Sequence, residues 1–271
     1  MSQHNKKYVN SPVISILGSG WLARPLARHL RTHYSVRLSS RDPNKCARLT
    51  AEGLPTYCID ITQVSAELSH FLQADSLIIA ISRQPLAVMS QLRYQLEQSP
   101  ITQVLFISST SVYQNLNREV NEDEGAEDPN NTLYQSEQLL QASPHYQTTV
   151  LRLAGLIGPQ RHPGRFFTAD KPVQHAQAPV NLIHRHDCVG LINAILQQQA
   201  WGEVFNGCAD THPSKQRFYH AACQQIDRPQ PVFIHTEQSP FKVVSNHKAK
   251  QQLSYRYQYS DLMQLQPEDY E

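Results

Sequence analysis

Short apolar, β-branched runs recur along the first part of the chain, at residues 13–17, 35–38, 56–59, 76–81, 104–108 and 149–153. The longer stretches between them have helical character. This alternation of strand and helix predicts βαβ units around a parallel sheet. Residues 77–81 and 104–107 are apolar at every position, as strands covered by helices on both faces must be, so they are expected at the sheet centre. After Gly158 the rhythm gives way to Pro-, His- and Gly-rich connections, with a helix expected over 188–198 and a strand-and-helix tail over 232–265.

The first strand runs into Gly18-Ser19-Gly20-Trp21-Leu22-Ala23, and Pro25-Leu26-Ala27 then opens a helical pattern. In such a strand, turn and helix, the first glycine permits the turn and the second lets the backbone approach a pyrophosphate. Amides at the helix start then face the anion. Ala23 stands where a third glycine is usual and is small enough for helix to pack on strand. The expected architecture is an α/β Rossmann-type doubly wound parallel sheet with a small C-terminal substrate lobe. Residues 1–11 form a flexible tail, 12–158 the NAD(P)-binding domain and 159–271 the lobe, with 180–200 returning to the first domain. Gly18, Gly20, Trp21 and Leu22 are the expected cofactor-binding residues of the loop, with Trp21 as a packing lid.

Discrimination between cofactors is expected at the end of the second strand, in Ser39-Ser40-Arg41-Asp42. An acidic residue there would bind a ribose diol and repel a phosphate. Instead Ser40 and Arg41 come first and Asp42 follows one position late, which favours NADP over NAD. On the alternative reading, Arg41 sits on a solvated turn and Asp42 caps the next helix. Asp60, after the third strand, is expected either at the adenine edge or as a helix cap.

Composition narrows the partners. With 24 Lys and Arg against 23 Asp and Glu, the formal charge of +1 gives no field that would hold nucleic acid or an anionic membrane. The five cysteines are scattered without a CxxC pair, as in a reduced cytoplasmic protein without a zinc site. Residues 1–10 are polar, and no signal peptide or membrane span is expected. The expected partners are a small-molecule substrate and, in a homodimer, a second copy of the chain.

Four segments in order, Gly18 to Ala27, Phe106 to Tyr113, Leu151 to Pro159 with Arg161 to Phe166, and Val180 to Asp187, resemble the extended short-chain dehydrogenase/reductases of the NAD-dependent epimerase/dehydratase type. Within these the chain is similar to the small atypical YeeZ-like branch, from about residue 13 to about residue 261. The resemblance implies a catalytic set of Ser, Tyr and, four residues later, Lys. Carried over by position, these are Ser109, Tyr134 and Gln138, so the lysine is missing. Tyr134 and Gln138 share a helix face. A phenol that works near neutral pH needs a nearby cation, and Gln138 offers only hydrogen bonds.

His184 and His186 alternate on an extended segment beside Asp187, but no third ligand cluster completes a metal site. His184 is instead expected near the cofactor or substrate cleft, with Asp187 capping the following helix. Arg161 and Arg165 flank a loop where guanidinium groups could clamp a substrate carboxylate or phosphate. The functions that follow are an NADP-dependent oxidoreductase or epimerase-like enzyme acting on a small polar or carbohydrate-derived substrate, or a catalytically weak NADP(H)-binding module acting through a partner protein. A ligand-free scaffold fits the retained glycine loop poorly.

Overall fold

The computed structural model describes residues 11–167, 172–234 and 240–271; the tail expected over 1–11 lies outside the described residues apart from Ser11. In chain order the strands are β1 (Val13–Leu17), β2 (Ser35–Ser40), β3 (Thr56–Cys58), β4 (Ser76–Ile79), β5 (Gln103–Ser109), β6 (Glu119–Val120) and β7 (Gln147–Leu153). They are followed by β8 (Gly155–Ile157), β9 (Val173–Gln174), β10 (Leu182–His184), β11 (Val204–Gly207), β12 (Phe233–Ile234) and β13 (Val243–Val244). The helices are α1 (Ala23–Leu30), α2 (Pro43–Ala51), α3 (Ala66–Phe71), α4 (Leu86–Glu97), α5 (Thr132–Gln141), α6 (Arg185–Gln198), α7 (Lys215–Gln224) and α8 (His247–Gln252).

Every apolar run expected to be a strand is one, and these strands join β11 in a seven-stranded sheet of order β11-β7-β5-β4-β1-β2-β3. The pairs β1–β2, β1–β4, β2–β3 and β4–β5 are parallel. β4, buried at every residue, lies at the centre, as its unbroken apolar sequence requires. The order reverses between β1 and β4. At such a reversal the connections leave in opposite directions and open a crevice beyond the carboxyl ends of the strands.

The chain divides into two units. The first comprises Met1–Ser108, Pro129–Leu151 and Ile195–Val204, and the second Ser109–Asp128, Arg152–Ala194 and Phe205–Glu271. The division falls near the ends of β5 and β7. The reason is local: the segment leaving β5 carries β6, which pairs in parallel with β13 of the C-terminal segment. Of the stretch 180–200 only the part from Ile195 rejoins the first unit. In the first unit Leu17, Phe71, Leu77, Ile79, Leu92, Val104 and Leu140 form a continuous core. The second unit has its own core, built on Ile157, Leu182, Phe218, Leu262 and Tyr270.

Candidate functional site

β1 hands the chain to Gly18, which has a φ of +119°. A Cβ at this position would stand 2.5 Å from the Ala80 carbonyl oxygen, so only glycine fits the turn. The Gly18 amide donates to Ser39 Oγ at 2.9 Å, which ties the loop to β2. Gly20 differs: a Cβ there would meet nothing within 4 Å. Its open side faces a cleft of about 450 Å³ lined by residues 17–20, 39–42, 59–61 and 80–82 with Lys45 and Gln84. This is the crevice of the β1/β4 reversal. No side chain caps the start of α1 beside it; the Arg24 amide donates to the Gly20 carbonyl at 3.3 Å, and Pro25 has no amide hydrogen. Leu22 is buried and Trp21 half-buried, and neither lines the cleft.

The charges at the far end of the cleft are sorted by their hydrogen bonds. Asp42 caps α2, accepting from the amides of Asn44 at 2.9 Å and Lys45 at 3.2 Å. Asp60 accepts from the Thr62 amide at 3.0 Å and its hydroxyl at 2.8 Å. These two bonds, the amide first, and then the charge of Arg41 hold its carboxyl below the usual range. Ser40 Oγ accepts from the Asp42 amide at 3.2 Å. Ser39 is buried and its Oγ is held by the Gly18 amide, though it too lines the cleft. Arg41 and Lys45 both line the cleft. Lys45 was not singled out from the sequence, although its place one helical turn after Arg41 was a legible signal.

Ser109 ends β5, and its Oγ accepts from the Ser111 amide at 3.1 Å. It lines a second cavity, of about 460 Å³, which lies wholly in the second unit with Thr110, Ser111, Asn115, Lys215 and Lys242. Tyr134 and Gln138 belong to the first unit. α5 buries Ser136, Glu137 and Leu140, and Glu137 accepts a hydrogen bond from the Ser108 hydroxyl. With that face turned inward, Tyr134 is half-buried and Gln138 exposed to solvent.

The Tyr113 hydroxyl donates to Asn206 Oδ1 at 3.0 Å and accepts from Arg152 at 2.8 Å, and Arg152 also pairs with buried Glu127. Burial pushes the Tyr113 phenol well above its ordinary value, which makes it unfit to shed a proton. His184 is fully buried: Nε2 lies 2.9 Å from the Asp269 carbonyl, and the ring packs 3.8 Å from that of Tyr259. It lines neither cavity, and burial lowers its pKa to about 4. Asp187 lies inside the first turn of α6 and does not cap it; its carboxylate binds the Tyr255 hydroxyl and the amides of Gln258 and Tyr259, pinning the C-terminal segment. Arg161 and Arg165 are exposed and line neither cavity.

The chain is 30% identical over 267 residues to the protein YeeZ of Escherichia coli strain K12, covering 92% of this chain and 96% of that protein. It belongs to the YeeZ family. No family model matches it. Among solved structures, a conserved protein of unknown function from Silicibacter pomeroyi is 22% identical with a TM-score of 0.77, covering 93% of this chain and 96% of that one. A short-chain dehydrogenase/reductase superfamily protein from Agrobacterium tumefaciens, solved with bound NAD, is 17% identical with a TM-score of 0.74, covering 93% and 94%. UDP-glucuronic acid 4-epimerase from Bacillus cereus, in complex with NAD, is 18% identical with a TM-score of 0.73, covering 93% and 96%. These structures share the fold of this YeeZ relative, including its parallel Rossmann-type sheet. No helix among its described residues is long and apolar enough to cross a membrane.

Proposed function

We propose that the chain binds NADP(H) in the cleft beyond β1. On this reading it acts as an epimerase/dehydratase-like cytoplasmic protein on a small polar or carbohydrate-derived substrate, with the Tyr/Lys pair reduced to Tyr134 and Gln138. A bound nicotinamide would supply the hydride acceptor or donor. The chain's own residues would hold the dinucleotide: the open face of Gly20 and the start of α1 at the pyrophosphate, Asp60 toward the adenine edge, and Ser40, Arg41 and Lys45 at the ribose phosphate. The NAD complexes of fold neighbours support a dinucleotide in this place.

One observation carries the preference for the phosphorylated cofactor. Arg41 and Lys45 line the cleft, while the two nearby carboxylates, Asp42 and Asp60, are occupied with backbone donors. Titration calorimetry with NADPH and NADH tests it. A charge-assisted contact of about 1.5–3 kcal/mol predicts a ten- to hundredfold preference for NADPH, reduced by Arg41→Ala and by Lys45→Ala. Equal affinities that neither substitution changes would overturn the assignment.

A second reading, a dinucleotide-binding module with little chemistry of its own, is favoured by α5. The residue one turn after Tyr134 is uncharged and exposed, and Tyr113 is sealed.

A further inference from the structure

The cavity at the end of β5 contains two lysines from distant parts of the second unit, Lys215 at the start of α7 and Lys242 just before β13. Each is half-buried. Lys242 Nζ donates to the Tyr113 carbonyl at 2.5 Å, which anchors the ammonium group beside the segment of Ser109, Thr110 and Ser111. Among the described residues that leaves two of its three N–H groups uncommitted. Lys215 forms no ion pair or side-chain hydrogen bond among the described residues. Burial moves both ammonium groups below their ordinary value, and among the described residues no carboxylate opposes it.

Two cations drawn partly out of water with no anion between them are costly unless a ligand supplies the charge. Among the described residues lining the cavity there is no Asp or Glu, and the remaining polar groups include the hydroxyls of Ser109, Thr110 and Ser111 and the amide of Asn115. There is no arginine either. A guanidinium fork suits carboxylate and phosphate alike, whereas ammonium groups act as point charges that can surround a tetrahedral oxyanion.

We propose that this cavity binds the phosphate group of a small phosphate monoester, held between Lys215 and Lys242 with donors from the hydroxyls that follow β5. Calling that ligand the substrate rests on the proposed function, because the cavity also holds Ser109; the binding itself does not. The site names a substrate class, and it gives Lys215 and Lys242 the anion-holding role expected of Arg161 and Arg165.

The test measures inorganic phosphate binding by phosphorus NMR line broadening at fixed ionic strength on the full chain, with acetate competition as a second arm and NADPH affinity measured in parallel. The expected result is that Lys215→Gln and Lys242→Gln each weaken phosphate binding about tenfold, that Lys215→Arg retains most of it, and that Arg41→Ala leaves it unchanged. NADPH affinity should be the same in both glutamine variants. Phosphate binding indifferent to both lysines, or displaced by equimolar acetate, would overturn the proposal. Lysine-dependent phosphate binding in a protein that fails to bind NADPH would uphold the site and overturn the dinucleotide reading instead.

Discussion

His184 shows how a residue type can suggest chemistry that its surroundings remove. Its ring is enclosed by Tyr259 and Tyr270 and bonded to the Asp269 carbonyl, with His186, Asp269 and Arg185 as its ionisable neighbours. Desolvation is the main cause of its lowered pKa, about 4 against an ordinary 6.5. An unfolded chain takes up a proton at this residue below pH 6.5, whereas the folded chain resists until about pH 4, so acid favours the unfolded state across that window. His162 and His212, also lowered mainly by burial, add to the slope. These histidines are therefore expected to shift thermal unfolding to lower temperature as pH falls through this range, against Glu122 and Asp187, whose carboxyl groups burial raises. His184→Gln, less stable at neutral pH, should lose less on acidification. A His184→Gln protein with the wild-type pH slope would show that the buried ring does not contribute to it.

At the scale of elements, the proposed function rests on α2 and α5. α2 begins with Asp42 as cap and Pro43 in its first turn, and this cap aims the helix so that Lys45 joins Arg41 on the cleft lining. α5 buries its Ser136, Glu137 and Leu140 face, which turns Gln138 to solvent. A lysine at 138 would restore the charge expected of the family, but in water, where its effect on the Tyr134 phenol is screened. Gln138→Lys is expected to change carbonyl-reductase turnover by less than about threefold and to leave NADPH affinity unaltered, as measured by NADPH consumption. A tenfold gain, abolished by Tyr134→Phe, would instead establish Tyr134 as the working acid and favour the enzyme over the binding module.

Across the whole molecule, what the sequence made legible was whatever period and turn chemistry control. Unbroken apolar runs located β4 and β5, and the Gly18-Ser19-Gly20 turn after β1 located the cleft. Less legible was whatever depends on contacts between distant segments. β11, a run of four residues ending in Gly207, was too short to stand out. Lys215 and Lys242 line one cavity only because their segments fold together in the second unit, and His184 and Tyr113 are sealed by partners 85 and 93 residues away. The central claim, that the cleft beyond β1 holds a dinucleotide, is tested most directly by titrating NADPH into Gly20→Val and wild-type protein while following the circular dichroism of both. A Cβ at Gly20 meets no protein atom within 4 Å, so the branched side chain should leave the fold intact and fill the space a pyrophosphate needs. The account predicts wild-type-like spectra and melting with NADPH binding lost; undiminished NADPH binding by the folded variant would contradict it.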